Sequence, residues 1–290
     1  MSQWDGKSKG TLLGYKIFVF FIQKLGIRTA YGLLIFVAAY YFLFSPKSFR
    51  AIYAYLREGQ GFAVWSAFWG VYRVYFVFGQ TIIDKVAIGA GMRNRFSYEF
   101  DGIEVLQEVL AEKKGGVLIS AHVGNFEIAE KFFADIDLDL QINMVAVDQE
   151  RTVIKAYIES ISGKPQVKFI HIKPDLSHVF AIHEALAKNE LICFTGDRFV
   201  EGAKTLKFPF LGKEAAFPAG PFHIASRLSV PVIFVYVMRE QGGHYHLYAR
   251  RAEGIKRRDP MSILKAYVVS VEGLVKRYPR QWFNFFDFWK

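Results

Sequence analysis

The C-terminal two thirds of the chain alternate between two hydrophobic periodicities, and this alternation restricts the fold more than any other feature. Helical patterns such as IEVLQEVLAEKK are followed by short, β-rich apolar runs, which are GGVLIS, INMVAV, VKFIHI and LICFTG. Helices that alternate with buried strands build α/β proteins, in which helical crossovers connect parallel strands. The pattern predicts an α/β fold with a central, mostly parallel or mixed β-sheet flanked by helices.

Further patterns predict the elements that follow LICFTG. The segment TLKFPFLGKEAAF is typical of strands or a hairpin, and VPVIFVYVM of a buried strand. HYHLYARR alternates between apolar and polar residues, which predicts an edge strand with one solvated face. Residues 261–277 have the spacing of a last amphipathic helix.

The first 95 residues lack the strand patterns and are strongly apolar. Residues 29–44 are 16 uncharged positions, fewer than the roughly 20 of a spanning helix. Basic residues flank them on both sides, which favours a helix that lies in, or dips into, one leaflet. A second apolar stretch, 62–83, contains Arg73 and is predicted to be a buried or interfacial helix. We predict an N-terminal helical membrane-associating region at 1–95 and an α/β domain at 96–290.

Composition favours a membrane surface as a partner. The net charge is +10, hydrophobic residues make up 52% and aromatic residues 17% of the chain. A chain that is both apolar and basic suits an anionic membrane, where cations meet headgroups and apolar side chains enter the interface. Nucleic acid is excluded as a partner, because the sequence has neither zinc-finger spacing nor an RNA-binding aromatic motif. Cys193 lies in an apolar run and is predicted to be buried.

His122 and Glu127, five positions apart in ISAHVGNFEIAE, are the candidate catalytic pair. The strand GGVLIS ends just before His122, and sites of open α/β sheets form at the carboxyl ends of strands. Gly124 and Asn125 permit a tight turn that brings Glu127 into the next helix, facing His122. Neutral imidazole can accept a proton, and a carboxylate can orient it and balance the charge that forms.

No nucleophilic serine or cysteine accompanies this pair in a G-x-S-x-G arrangement. The sequence therefore favours direct attack by a substrate hydroxyl that His122 activates, without a covalent enzyme intermediate. Backbone amides near Gly124 are predicted to stabilise the tetrahedral oxyanion.

Several blocks resemble a known family in their order along the chain. HVGNFE resembles the His-x4-Asp/Glu motif of the lysophospholipid acyltransferase superfamily, in the HxGNxE form of bacterial lipid A late (secondary) acyltransferases. The segments 194–202, FTGDRFVEG, and 206–237 resemble later blocks of the same family, and the N-terminal apolar region resembles its membrane-anchoring opening.

The resemblance implies a membrane-associated O-acyltransferase at the cytoplasmic face of the bacterial inner membrane. Its donor would be a fatty acyl thioester on acyl carrier protein or coenzyme A, and its acceptor a hydroxyl of a glycolipid or related lipid. The resemblance implies neither a metal nor an organic cofactor. His122 would be the general base and Glu127 its orienting partner.

The resemblance also implies substrate-binding residues, which are Gly124, Asn125, Arg151, Asp197 and Arg198. Members often have an arginine after the strand that follows the motif helix. Here Asp148 occupies that place, and Arg151 follows three residues later. A structural ion pair is an equally supported interpretation of Asp197 and Arg198.

Other interpretations stay open at this level. The same scaffold could serve a thioesterase or lipid hydrolase, or a non-catalytic lipid-binding membrane protein. His244 and His246 alternate on one strand face and are predicted to be solvated, since no third metal ligand is spaced for them. For the aromatic segment at 279–289, core packing is favoured over a place beside the site.

Overall fold

The computed structural model describes residues 12–129, 140–146, 167–172, 175, 177–200 and 202–289. For Glu127 it describes the backbone alone. The sequence also predicts helices at 125–136 and 151–160; residues 130–136 of the first and all of the second lie outside the described residues.

The N-terminal part of the described chain is helical. Its elements are α1 (Leu12–Leu25), α2 (Ile27–Phe44), α3 (Pro46–Ala54), a single π-turn (Tyr55–Gly59) and α4 (Val64–Gly89). Helices α2 and α4 pack closely because α4 has a glycine where they meet. A Cβ atom on Gly79 would lie 2.2 Å from Cδ1 of Leu34, so a larger residue at this position would force the Leu34 side chain to move.

Seven strands of the described residues form one sheet in the order β1-β9-β8-β2-β5-β3-β4. The strands are β1 (Ser97–Asp101), β2 (Gly116–Ser120), β3 (Ile142–Ala146), β4 (Lys168–His171), β5 (Leu191–Thr195), β8 (Val232–Arg239) and β9 (His244–Arg251). Strands β2, β3, β4, β5 and β8 share one direction, and β1 and β9 run opposite to them. A separate antiparallel hairpin contains β6 (Thr205–Phe210) and β7 (Lys213–Pro218). The predicted α/β fold, with its mostly parallel sheet, is confirmed.

Helices cover both faces of this sheet. Among the described residues after β1, the α-helices are α5 (Ile103–Ala111), α6 (Ser177–Ala187), α7 (Ala219–Arg227) and α8 (Pro260–Arg277). Residues of α5 and the end of α4 pack on one face, and residues of α6, α7 and α8 pack on the other. Every residue of β2 is buried, which explains why its sequence is apolar without alternation.

Strand β9 corrects one prediction. HYHLYARR is a strand, but it lies between β1 and β8 and is not an edge. Strand β1, SYEFD, covers that side, and its polar composition hid it from the pattern of apolar runs. As a result His246 is buried, with its ring stacked on Tyr248 at a centroid distance of 4.1 Å and Glu99 beside it. The predicted solvated position is therefore wrong for His246.

A buried ion pair connects the N-terminal helices to the sheet. Asp84 of α4 is fully buried, and its carboxylate accepts hydrogen bonds from Tyr31 of α2 and Tyr245 of β9. Arg239, the last residue of β8, donates from Nε to the same carboxylate at 2.8 Å. Four elements thus meet at one carboxylate. The proposed division of the chain between residues 95 and 96 stays a prediction, and this contact spans it.

Removal of this carboxylate should destabilise the whole protein. We expect Asp84→Ala to lower the free energy of unfolding by about 3–5 kcal/mol, because it leaves the buried Arg239 charge without its partner. Glu108→Ala removes an exposed carboxylate from α5 and should change stability by at most about 0.5 kcal/mol. Chemical denaturation of both variants measures the difference, and equal stabilities would contradict the structural role of Asp84.

Candidate active site

His122 lies where the register of two parallel strands places a carboxylate beside it. Ser120, at the end of β2, pairs with Thr195, at the end of β5. Since the strands are parallel, His122 and Asp197, each two residues further on, leave the sheet at the same edge. This is the carboxyl edge of the parallel strands, where sites of open α/β sheets form.

Asp197 holds His122 at two points. Its Oδ1 lies 2.7 Å from Nδ1 of the imidazole, and its Oδ2 accepts a hydrogen bond of 2.9 Å from the His122 backbone amide. Asp197 is buried, whereas the His122 side chain keeps 32% of its surface exposed. A neutral imidazole that donates from Nδ1 has its lone pair on Nε2. No described residue forms a hydrogen bond with Nε2, so this arrangement presents a proton acceptor to a substrate.

The electrostatic surroundings keep Asp197 ionised. Burial raises the pKa of this carboxyl, but the charge and hydrogen bonds of His122 and the charge of Arg198 outweigh burial and lower the pKa overall. The guanidinium of Arg198 donates to the backbone carbonyl of Phe283, and burial lowers its pKa to about 10. An ionised Asp197 can stabilise a positive charge that forms on His122 during proton transfer.

The loop after His122 depends on a glycine. Gly124 has φ of 58°, and a Cβ atom there would lie 2.0 Å from the carbonyl oxygen of Val237. Its amide donates to the carbonyl of Gln281 at 2.8 Å, and the amide of Asn125 donates to Val237 at 2.7 Å. Both donors are therefore already used. The prediction that amides of this loop bind the oxyanion is wrong for Gly124 and Asn125 in this conformation.

Asn125 connects the loop to the scaffold beneath it. Its buried side-chain amide donates to the backbone carbonyl of Thr81 in α4 at 2.9 Å and to the hydroxyl of Tyr245 at 3.3 Å. Tyr245 in turn donates to Asp84. These contacts are structural, and the substrate-binding role of Asn125 stays a prediction.

The C-terminal aromatic segment forms part of the site, which the sequence did not reveal. Trp282 forms an antiparallel bridge with Val123, and the amide of Phe283 donates to the carbonyl of His122 at 3.0 Å. The indole of Trp282 is buried and lies with Nε1 3.4 Å from Oδ2 of Asp197. Trp282 also packs against Tyr55, with a ring-centroid distance of 4.8 Å. The predicted core packing is present, and the same residues support the histidine.

Gln281 fastens this segment to the sheet. Its side chain accepts from the amide of Arg239 at 2.9 Å and donates to the carbonyl of the same residue at 2.6 Å. Arg239 ends β8 and also pairs with Asp84. The C-terminal segment is therefore bonded to the histidine loop and to the end of β8 at once.

The structure brings together His122, Gly124, Asn125, Asp197 and Arg198 from the predicted set. Arg151 and Asp148 lie outside the described residues, as does the side chain of Glu127. In the part of the chain that is described, no group of three or more His, Cys, Asp or Glu side chains is arranged to hold a metal ion. Cys193 is buried, as predicted.

Comparison with protein families identifies the type of site. Residues 71–290 match the model of the bacterial lipid A biosynthesis acyltransferases. The chain belongs to this family. Among curated proteins, none matched the chain. The matched region contains β1 to β9, the histidine loop and the C-terminal segment, so the family assignment covers every part of the site described above.

Family membership makes the protein an acyltransferase of lipid A biosynthesis. It decides against the hydrolase and the non-catalytic interpretation that the sequence left open. The family is membrane-associated. Of the helices described, α2 is long and apolar enough to cross a membrane, judged by length and composition alone.

The lowered pKa of Asp197 predicts a specific dependence of stability on pH. A carboxyl whose pKa is lower in the folded state stabilises the fold fully above its unfolded pKa, which is about 3.9. This contribution is lost as the pH falls through the lower folded value. We expect the free energy of unfolding of the parent to exceed that of Asp197→Asn at neutral pH, and the difference to shrink below about pH 4. Urea titrations across this range measure it, and a difference that does not change with pH would contradict the assigned shift.

Proposed function

We propose that the protein transfers a fatty acyl chain from a thioester to a hydroxyl of a lipid acceptor, with His122 as the general base. The observation that carries the proposal is the His122–Asp197 contact of 2.7 Å at the carboxyl edge of the sheet, with the His122 side chain 32% exposed. Membership of the lipid A acyltransferase family supports a catalytic interpretation of this contact. A glycolipid is the proposed acceptor, and acyl carrier protein is the proposed donor, with coenzyme A as the alternative carrier.

In the proposed reaction, Nε2 of His122 removes the proton from the acceptor hydroxyl as its oxygen attacks the thioester carbonyl. Asp197 balances the imidazolium that forms. The tetrahedral intermediate collapses, the carbon–sulfur bond breaks, and the thiolate takes the proton from Nε2. The products are the acylated lipid and the free thiol of the carrier, and His122 returns to its neutral state.

Two carboxylates stabilise the imidazolium in this proposal, and one of them also orients the ring. Asp197 orients the imidazole, because it occupies Nδ1. Glu127 is the acidic residue of the family motif, five positions after His122. Its carboxylate is proposed to stabilise the positive charge that forms on the imidazole. Asp197 was predicted to bind substrate, and the described contacts support an orienting role for it instead.

The N-terminal helices support membrane association of this enzyme. Large apolar side chains are exposed along α1, α2 and the first turns of α4, and they are Leu13, Ile17, Phe20, Leu25, Ile35, Phe36, Tyr40, Leu43, Phe44, Val64, Trp65 and Trp69. Many exposed, large apolar side chains on neighbouring helices are typical of a membrane contact. We propose that the enzyme binds the cytoplasmic face of the inner membrane.

Helix α2 is proposed to lie in one leaflet of the membrane without crossing the bilayer. Tyr31 near its start contacts Asp84 of α4, and Phe42 near its end stacks on Trp69 of the same helix at 6.0 Å. Both ends of α2 therefore stay on the protein. A helix that crossed the bilayer alone would leave the protein at one end.

Residues 256–258, KRR, form a basic run. We do not expect this run to bind the carrier that delivers the acyl chain. It follows β9 and borders a groove at the start of β8, which includes Pro231 and Val232. His122 lies at the opposite edge, beyond the ends of the parallel strands. We therefore expect the donor to bind on the His122 side of the sheet.

Substitution of exposed apolar residues should weaken membrane binding without unfolding the protein. Phe36 and Trp65 are each 73% exposed, so Phe36→Ser combined with Trp65→Ser should lower the fraction of protein bound to phosphatidylglycerol vesicles. Val269 of α8 is 64% exposed, and Val269→Ser serves as the matched control. Vesicle sedimentation measures binding. If the double variant sediments like the control, the proposed membrane face is wrong.

The main test of the proposed mechanism is removal of the base. We expect His122→Ala to lower kcat by roughly 100- to 10,000-fold, the usual contribution of positioned proton transfer. His183→Ala removes an exposed histidine from α6 and should keep parental activity. Transfer is measured with acyl carrier protein and coenzyme A thioesters in parallel, by mass spectrometry of the lipid product. A folded His122→Ala protein with parental kcat would exclude the proposed base.

The two carboxylates are tested in the same assay. Asp197→Asn should be as severe as loss of the base, because an amide at this position can reverse the histidine tautomer. Glu127→Gln should also lower kcat, since a neutral amide cannot balance the imidazolium. Combining either substitution with His122→Ala should cost little more than His122→Ala alone, because the residues act as one unit.

A further inference from the structure

Two arginines contact Phe62, and the charge of a third arginine acts on one of them. The guanidinium of Arg57 donates to the backbone carbonyl of Phe62, and the guanidinium carbon of Arg280 lies 5.9 Å from the centroid of the Phe62 ring. Arg73 lies close enough to Arg280 to affect its titration. Burial, and after it the charge of Arg73, lowers the pKa of Arg280. Positive charges from the π-turn, from α4 and from the C-terminal segment therefore lie near one another.

No carboxylate among the described residues forms an ion pair with any of these three arginines. Glu58, the next residue after Arg57, is paired with Lys213 instead. Nε of Arg280 is buried and has no hydrogen-bond partner among the described residues. A buried donor without a partner and neighbouring like charges both cost free energy. An anion bound between the arginines would offset both costs.

The arginine cluster, defined as Arg57, Arg73 and Arg280, is joined through the chain both to the exposed apolar residues of α4 and to the loop of His122. On the membrane side, Trp69 is exposed and precedes Arg73 by about one turn of α4. On the catalytic side, Arg280 is followed by Gln281, whose carbonyl accepts from the amide of Gly124 at 2.8 Å. A lipid whose chains lie against the apolar face would thus present its headgroup to the cluster.

We propose that the arginine cluster binds a phosphate group carried by a lipid and so holds that lipid beside His122. Guanidinium groups suit this task because their donors match phosphate oxygens in pairs, and they keep their charge when partly desolvated. The proposal rests on the proposed function and adds the headgroup chemistry of the lipid. The phosphate can belong to the acceptor itself or to a phospholipid of the surrounding membrane, and two assays separate these sources.

The first assay measures transfer in neutral detergent micelles, with a phosphorylated glycolipid acceptor and with the same acceptor after phosphatase treatment. If the cluster binds the acceptor, Arg73→Gln and Arg280→Gln should each raise KM for the phosphorylated acceptor about tenfold, the usual effect of one charge-assisted hydrogen bond. Their kcat should stay near the parental value. With the dephosphorylated acceptor, the variants and the parent should have the same KM.

The second assay does not depend on catalysis. Full-length His122→Ala protein, with and without Arg73→Gln or Arg280→Gln, is sedimented with phosphatidylcholine vesicles that contain or lack phosphatidic acid. If the cluster binds membrane phospholipid, the arginine variants should bind phosphatidic acid vesicles less tightly, while KM in the first assay stays unchanged. Because the His122→Ala protein is used, this result is obtained even if His122 is not the base.

Control variants separate a specific site from general loss of charge. Arg227→Gln removes an exposed arginine from α7 and should match the parent in both assays. Arg73→Lys should bind the phosphate more tightly than Arg73→Gln but less tightly than the parent, because lysine keeps the charge and lacks the paired donors. Thermal unfolding confirms that each variant is folded. If Arg73→Gln and Arg280→Gln both behave like Arg227→Gln in the two assays, the cluster does not bind phosphate and the proposal is overturned.

Discussion

The site depends on the register between β2 and β5. Ser120 pairs with Thr195, and this pairing places Asp197 where its carboxylate reaches both the ring and the backbone amide of His122. A shift of one residue would turn the aspartate to the other face of the sheet, because side chains alternate along a strand. The apolar strands therefore determine the geometry of the His122–Asp197 contact as well as the core.

Two buried connections keep the histidine loop in place. On one side, Asn125 is hydrogen-bonded to Tyr245, and Tyr245 is hydrogen-bonded to Asp84, which pairs with Arg239. On the other, the C-terminal segment bonds to His122 through its backbone. Gln281 joins the two connections, since it binds both backbone groups of Arg239. The histidine loop is thus held between the N-terminal helices and the C-terminal segment, and the proposed role of His122 as a general base requires this kind of support.

The same arrangement relates the site to the membrane. Helix α4 contributes Trp69 to the exposed apolar face and Asp84 to the buried network. It also carries Arg73, one member of the proposed phosphate site. One helix therefore links the proposed membrane contact, the proposed phosphate site and the loop of His122, which suits the proposed reaction of an acceptor that stays in the bilayer.

The sequence by itself determined the α/β fold, because buried strands and amphipathic helices have distinct periodicities that local patterns reveal. It also determined His122 as the candidate base and the family, because HVGNFE and the later blocks are local in the chain. Strand β1 was missed, since its residues are polar and only its neighbour β9 makes it a strand.

Only the tertiary structure decided the partners of His122. Asp197 lies 75 positions away in the sequence, and Trp282 lies 85 positions beyond Asp197. No local pattern records such pairings, because they arise from strand register and from the docking of the C-terminal segment. The arginine cluster has the same origin. Its members come from the π-turn, from α4 and from the C-terminus, and their charges meet only because packing forces these segments together.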